Sequence, residues 1–105
     1  MDDIQINYNT DARFLLLKSY YERDKDYSER SEQIFRSFME YMRQNKVHSS
    51  RQKQGYINFT KTLIGLYRIK HRFGNRSIDV VRKRLDKYEV VSDKKWLLEK
   101  IEELK

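Results

Sequence analysis

The chain predicts a mainly α-helical fold, a small single domain of about five helices. Three observations carry that expectation. No proline occurs in 105 residues, so helices are free to run uninterrupted. Apolar residues recur at three- and four-residue spacings rather than in alternation. Aromatic residues make up 13%, more than a disordered chain carries. A length of 105 residues suits one core and not two. The apolar fraction is 38% and the charged fraction 37%, which describes a small core with long charged edges.

A first helix is predicted from about Thr10 to Glu22, with Thr10 or Asp11 as cap. Phe14, Leu17 and Tyr21 share one face, and Leu15, Leu16 and Tyr20 widen it. A second helix runs from about Tyr27 to Asn45, with Asp26 and Glu29 spaced as a capping pair. Its stripe is Ile34, Phe38, Tyr41 and Met42, broadened by Phe35 and Met39. Residues 46–58, "KVHSSRQKQGYIN", are polar, hold one glycine and lack a helical stripe. They read as a loop, with a short hairpin around Gly55 as the alternative. The third helix would start at Asn58 and reach Phe73, burying Phe59, Leu63, Leu66, either Ile69 or Lys70, and Phe73. Gly65 inside it suggests a close helix crossing, and Gly74 supplies a left-handed terminator. Ser77 then caps a fourth helix, with Asp79 in its first turn and Ile78, Val81, Leu85 and Tyr88 on one face. "EVVSD", residues 89–93, breaks the rhythm and leaves room for a short strand. Residues 93–104 form a last helix in which Trp96, Leu97, Ile101 and Leu104 pack back.

Charge is unevenly placed along this chain. The net charge is +7, but residues 1–45 are net −2, residues 46–87 net +10 and residues 88–105 net −1. The near-neutral N-terminal helices (10–45) and C-terminal helix (93–104) thus flank a basic middle. A positive face of that kind is the footprint of a polyanion binder, whereas a merely solubilising surface intersperses both signs.

The stretch "LYRIKHRFGNRSIDVVRKRLDKY", residues 66–88, concentrates this charge in two helices joined by a glycine-containing turn. Ile78, Val81 and Leu85 would anchor the second helix and leave Arg76, Arg82, Lys83 and Arg84 outside or flanking. Arginine can then take guanine or a phosphate bidentately, and lysine acts as a point charge. The turn "FGNRS", the helix "IDVVRKRL" and the strand-like "YEVV" resemble the helix-turn-helix and winged-helix DNA-binding group. The resemblance spans residues 61–91 and implies a helix-turn-helix-like core with a short β wing. It departs from the group in two respects. The first helix lacks the usual alanine at its crossing, for which Gly65 would have to serve, and residues 46–58 have no place in a minimal winged helix.

Single-strand binding is the other nucleic-acid mode, in which bases stack on aromatic side chains beside a positive groove. Tyr56 and His48 stand in a polar segment among Lys46, Arg51 and Lys53, whereas Tyr67 and Tyr88 fall near buried faces. The candidate nucleic-acid contacts are therefore Arg51, Lys53, Tyr56, Arg68, Lys70 and Arg72, followed by Arg76, Arg82, Lys83, Arg84 and Lys87.

Other chemistries find little support. Two histidines 23 residues apart and no cysteine give no metal site. Gly55, Gly65 and Gly74 are isolated, so no phosphate-cradling loop is present. The carboxylates serve helix ends rather than converging as a nuclease would need. No catalysis, cofactor or small-molecule substrate is expected. "MDDIQINYNTDAR" is unlike a secretory signal, and the longest apolar run, "FLLL", is too short for a membrane. With no cysteine, a cytoplasmic setting is the expectation. The sequence thus predicts a small nucleic-acid-binding protein, DNA being favoured over RNA. It would be a regulator or a replication accessory subunit of a phage or mobile element, docking on a larger replication or transcription protein through its first two helices. The alternative is a phage-type adaptor or inhibitor that binds an acidic partner protein.

Overall fold

The computed structural model describes residues 3–105, with side chains from residue 9 onward. Five helices follow one another: α1 (Asp3–Arg23), α2 (Glu29–Gln44), α3 (Ser50–Lys70), α4 (Ile78–Lys87) and α5 (Lys94–Leu104). The mainly α-helical expectation holds.

The axis of the fold is α3. Residues 57 to 67 are buried on every side except at Lys61, because α2 packs against it as well as α4 and α5. A helix enclosed this way needs no polar stripe. Its buried hydroxyls are satisfied within the helix: Thr60 Oγ1 donates to the Tyr56 carbonyl at 2.8 Å and Thr62 Oγ1 to that of Asn58 at 2.9 Å. Phe35, Phe38 and Met42 of α2, Leu17 and Tyr21 of α1, Leu85 of α4 and Ile101 of α5 close around Phe59, Leu63 and Leu66.

Here the structure corrects the sequence reading. Residues 50–58 are not a loop or hairpin but the first turns of α3. Ser49 caps that helix: its side chain accepts from the Gln52 N–H while Gln52 Oε1 accepts from the Ser49 N–H. This reciprocal arrangement satisfies two otherwise orphaned donors. Asn58, expected as the cap, lies buried mid-helix and donates to the Val90 carbonyl at 3.0 Å.

The wing is also absent. No strand occurs among the described residues, and the link from α4 to α5 crosses α3 at Gly55. The Ser92 N–H donates to the Gly55 carbonyl at 3.1 Å. A Cβ on Gly55 would stand 3.0 Å from Ser92 Oγ and 3.3 Å from a Val90 methyl, so glycine is what lets the link lie flat there.

The α3–α4 turn differs in its detail. Arg72, not Gly74, terminates α3: it has φ +55°, its N–H donates to the Ile69 carbonyl, and the Phe73 N–H reaches back to Arg68 at 2.8 Å. That is the Schellman arrangement with arginine where glycine is usual. Gly74, φ +89°, bends the chain onward, and Ser77 caps α4 as expected. Ser28, rather than Asp26, caps α2.

Across the other face, α5 returns onto α1. Trp96 packs edge-on to Tyr21 at 5.4 Å and against Phe59 at 5.7 Å, with the Lys18 and Lys100 ammonium groups over its ring. Lys18 pairs with Asp93 and Lys100 with Glu22. Among the described residues no helix is long and apolar enough to cross a membrane.

Candidate nucleic-acid interface

Between α2 and α4, across the surface of α3, lies a cleft of about 290 Å³. Its floor is mainly apolar, formed by Met39, Ile64 and Val81 with the Thr62 side chain among them, and Tyr88 stands at its side. Cations line the walls: Arg36 and Arg43 from α2, Lys61 and Arg68 from α3, Arg76 from the turn and Arg84 from α4. Each element supplies its share by helical spacing. Arg36, Met39 and Arg43 stand three and four apart on α2, as do Lys61, Ile64 and Arg68 on α3.

Gly65 sets the distance between α3 and α4. A Cβ there would meet a Val81 methyl at 3.1 Å and Arg76 Nη1 at 3.2 Å. The missing side chain therefore lets α4 close in and lays the Arg76 guanidinium across α3. The close crossing suggested by the sequence is present.

The cations differ in how committed they are. Arg68 is held bidentately by Glu32, at 2.5 and 2.8 Å, and Arg36 approaches the same carboxylate at 3.4 Å. Glu32 is 7% exposed. The Arg68 bond, opposed by burial and helped by the charges of Arg68 and Arg36, holds its carboxyl below the usual range. Arg43 has only an exposed pair with Glu40 at 3.3 Å, worth little in water. Lys61, Arg76 and Arg84 are exposed and form no ion pair among the described residues.

On α4 the charges separate by flank. Helical geometry joins Lys83 and Lys87 to Arg84 in one exposed patch around Val80. Arg82, half-buried, instead bonds Asp86 at 3.2 Å, and Asp79 shares that outer flank. Of the residues expected outside or flanking the buried face, Lys83 and Arg84 are exposed and Arg82 flanks it, so α4 has a basic edge and a mixed one.

Other predicted contacts face elsewhere. Lys70 points to α1, donating to the Tyr21 carbonyl at 2.6 Å and lying 4.5 Å over the Tyr21 ring. Tyr56, expected as an exposed stacking platform, packs edge-on against Phe14 at 5.1 Å and Phe38 at 6.0 Å, and burial raises its phenol. His48 follows it inward, its Nε2 3.1 Å from Thr10 Oγ1. Arg51 borders a separate shallow hollow with Val90 and Ser92 near the start of α3. Lys53 lies half-buried on the same end of α3, and Arg72 is exposed on the turn.

The structure thus brings Arg68, Arg76 and Arg84 to one cleft, extends it with Lys83 and Lys87, and leaves Arg51, Lys53, Tyr56, Lys70, Arg72 and Arg82 outside it. Sequence reasoning missed Arg36, Arg43 and Lys61. The arginine signal was present as the spacing of Arg36 and Arg43 about Met39, but summation over residues 1–45 hid it behind the carboxylates of α1 and α2. No family model matches the chain, and neither do curated proteins or solved structures.

Proposed function

We propose that this protein binds nucleic acid without catalysing a reaction on it, gripping phosphates in the α2–α3–α4 cleft and along the Lys83–Arg84–Lys87 edge of α4. The observation that supports this is convergence: six cations from four segments meet at one concavity, and three of them have no carboxylate partner among the described residues. Guanidinium groups on opposite walls suit the bidentate capture of successive phosphates. A role as a regulator or replication accessory subunit, of the size phages and mobile elements encode, in a cytoplasmic setting, follows from the charge and the lack of cysteine.

Fluorescence anisotropy of a labelled oligonucleotide across a salt series tests it. Affinity should weaken steeply with salt, and the Arg76→Gln/Arg84→Gln pair should flatten the slope by about two. Arg51→Gln, outside the cleft, should leave it unchanged. Binding that is absent at low salt would end the proposal.

A second reading is protein docking, as an adaptor or inhibitor. It is favoured by Leu15 and Leu16, adjacent on α1 and 61% and 51% exposed, and an acidic partner would also meet the cleft. In that case polyglutamate should displace the oligonucleotide, and a Leu15→Ser/Leu16→Ser variant should lose partner binding while keeping its stability.

A further inference from the structure

We infer that the cleft selects single-stranded nucleic acid over duplex by seating one unstacked base on its floor. This rests on the nucleic-acid reading above and adds to it the form of the ligand. Three observations favour it.

The site is concave. Reading a duplex requires a protein element that projects into a groove, and the major groove admits a helix. Here the cations face inward, from α2 on one side and from the turn and α4 on the other, across a space of about 290 Å³. That volume lies near the lower end for small-ligand pockets. It suits a base and its adjoining phosphates but not the body of a double helix.

The floor is mainly apolar. Phosphate capture alone would be served by a polar floor, yet Met39, Ile64 and Val81 lie at the bottom, 5%, 6% and 3% exposed, and Thr62 beside them spends its hydroxyl proton on the Asn58 carbonyl. Tyr88 stands beside them half-buried, with no ring–ring contact among the described residues. An unstacked base offers a flat apolar face to such a floor while its phosphates reach Arg76 and Lys61 at the rim.

The outward face of α4 is poorly made for a groove. Asp79 and Asp86 are both exposed there, so a duplex approached by that face would bring carboxylates against its phosphates. No wing accompanies the turn to grip a neighbouring groove. RNA and DNA single strands share the base and phosphate chemistry that the cleft addresses.

The test compares four labelled probes at one salt concentration: a short pyrimidine DNA strand, its RNA counterpart, a hairpin duplex, and an abasic strand with the same number of phosphates. At least one of the two intact single strands should bind about tenfold tighter than the hairpin and the abasic strand. Tyr88→Leu should erase most of that preference and Tyr88→Phe should keep it, with urea midpoints confirming that both fold. A hairpin bound as tightly as the strands would overturn the inference while sparing the nucleic-acid reading. An abasic strand bound as tightly as the intact ones would do the same, because the floor would then hold no base. Failure of all four probes would overturn both.

Discussion

Glu32 joins stability to the cleft through one carboxylate. It is nearly buried and holds Arg68 by two hydrogen bonds, so Arg68→Ala would leave a desolvated charge facing the more distant Arg36 and the Tyr27 hydroxyl. Because Arg68 is itself 30% exposed, the cost should fall below that of breaking a fully buried pair, about 1–2 kcal/mol in urea unfolding. Asp24 adds a second such group. Burial alone would raise it, but hydroxyl donors Ser31 and Tyr67, each at 2.5 Å, hold it below its ordinary value. Both carboxyls thus release protons more readily in the folded chain than in the unfolded one. Their stabilisation is complete above the ordinary values of 4.5 and 3.8 and is lost as pH falls through the lowered ones. Glu32→Gln should flatten the acid limb of a stability–pH curve. Tyr67 has the opposite sign: burial and its bond to Asp24 push it up to about 12. Its contribution is intact below 10 and disappears as pH rises toward 12. Arg72 offers a gain instead, since Arg72→Gly at φ +55° should raise stability by about 1 kcal/mol, read as a higher melting temperature.

At the scale of elements, α3 decides how much of the fold was legible. The amphipathic stripes of α2, α4 and α5 could be read because each buries one side and wets the other. α3 is enclosed, so its burial follows no stripe. Its first residues, 50–54, lie outside the core and carry most of the polar sequence that resembled a loop. The signal that would have found its start is Ser49 with Gln52 three residues on, followed by the run from Ile57. Ser49→Ala should accordingly cost about 1 kcal/mol, checked by thermal unfolding, and should loosen the hollow bordered by Arg51 more than the distant cleft. The wing expectation failed for a related reason. Valines at 90 and 91 gave residues 89–93 a strand-like composition, but the Val90 carbonyl accepts from the Asn58 side chain and the Ser92 N–H donates to the Gly55 carbonyl, both on a helix. The candidate site was legible on α4, where its cations are consecutive. It was not legible on α2, because only packing brings Arg36 and Arg43 across from Arg76 and Arg84. At Gly65, a larger side chain should separate α4 from α3. Gly65→Val should weaken oligonucleotide binding at least as much as loss of one rim arginine, while circular dichroism still reports five helices' worth of signal.

Over the whole molecule, basic charge concentrates in residues 46–87. The tertiary ion pairs Lys18–Asp93 and Lys100–Glu22 tie α1 to the start and end of α5, and six cations converge on the cleft between α2 and α4. Long-range attraction to a polyanion therefore has a direction, and association should quicken at low ionic strength more than the net charge of +7 alone would suggest. Stopped-flow association rates across a salt series would measure it. A set of variants that exchange Lys83 and Lys87 for glutamine should slow association more than it speeds dissociation, because both groups grip phosphate at the border of the cleft.

The single tryptophan lies on the side away from that cleft, wedged between α1, α3 and α5 under two ammonium groups. It therefore serves as an intrinsic optical label for one event and not the other. Its emission will shift to the red when α5 peels from α1, yet hold steady while a ligand enters between α2 and α4. A titration watched at tryptophan wavelengths and by the anisotropy of a labelled strand would thus separate melting from occupancy in one cuvette, with no dye attached to the protein.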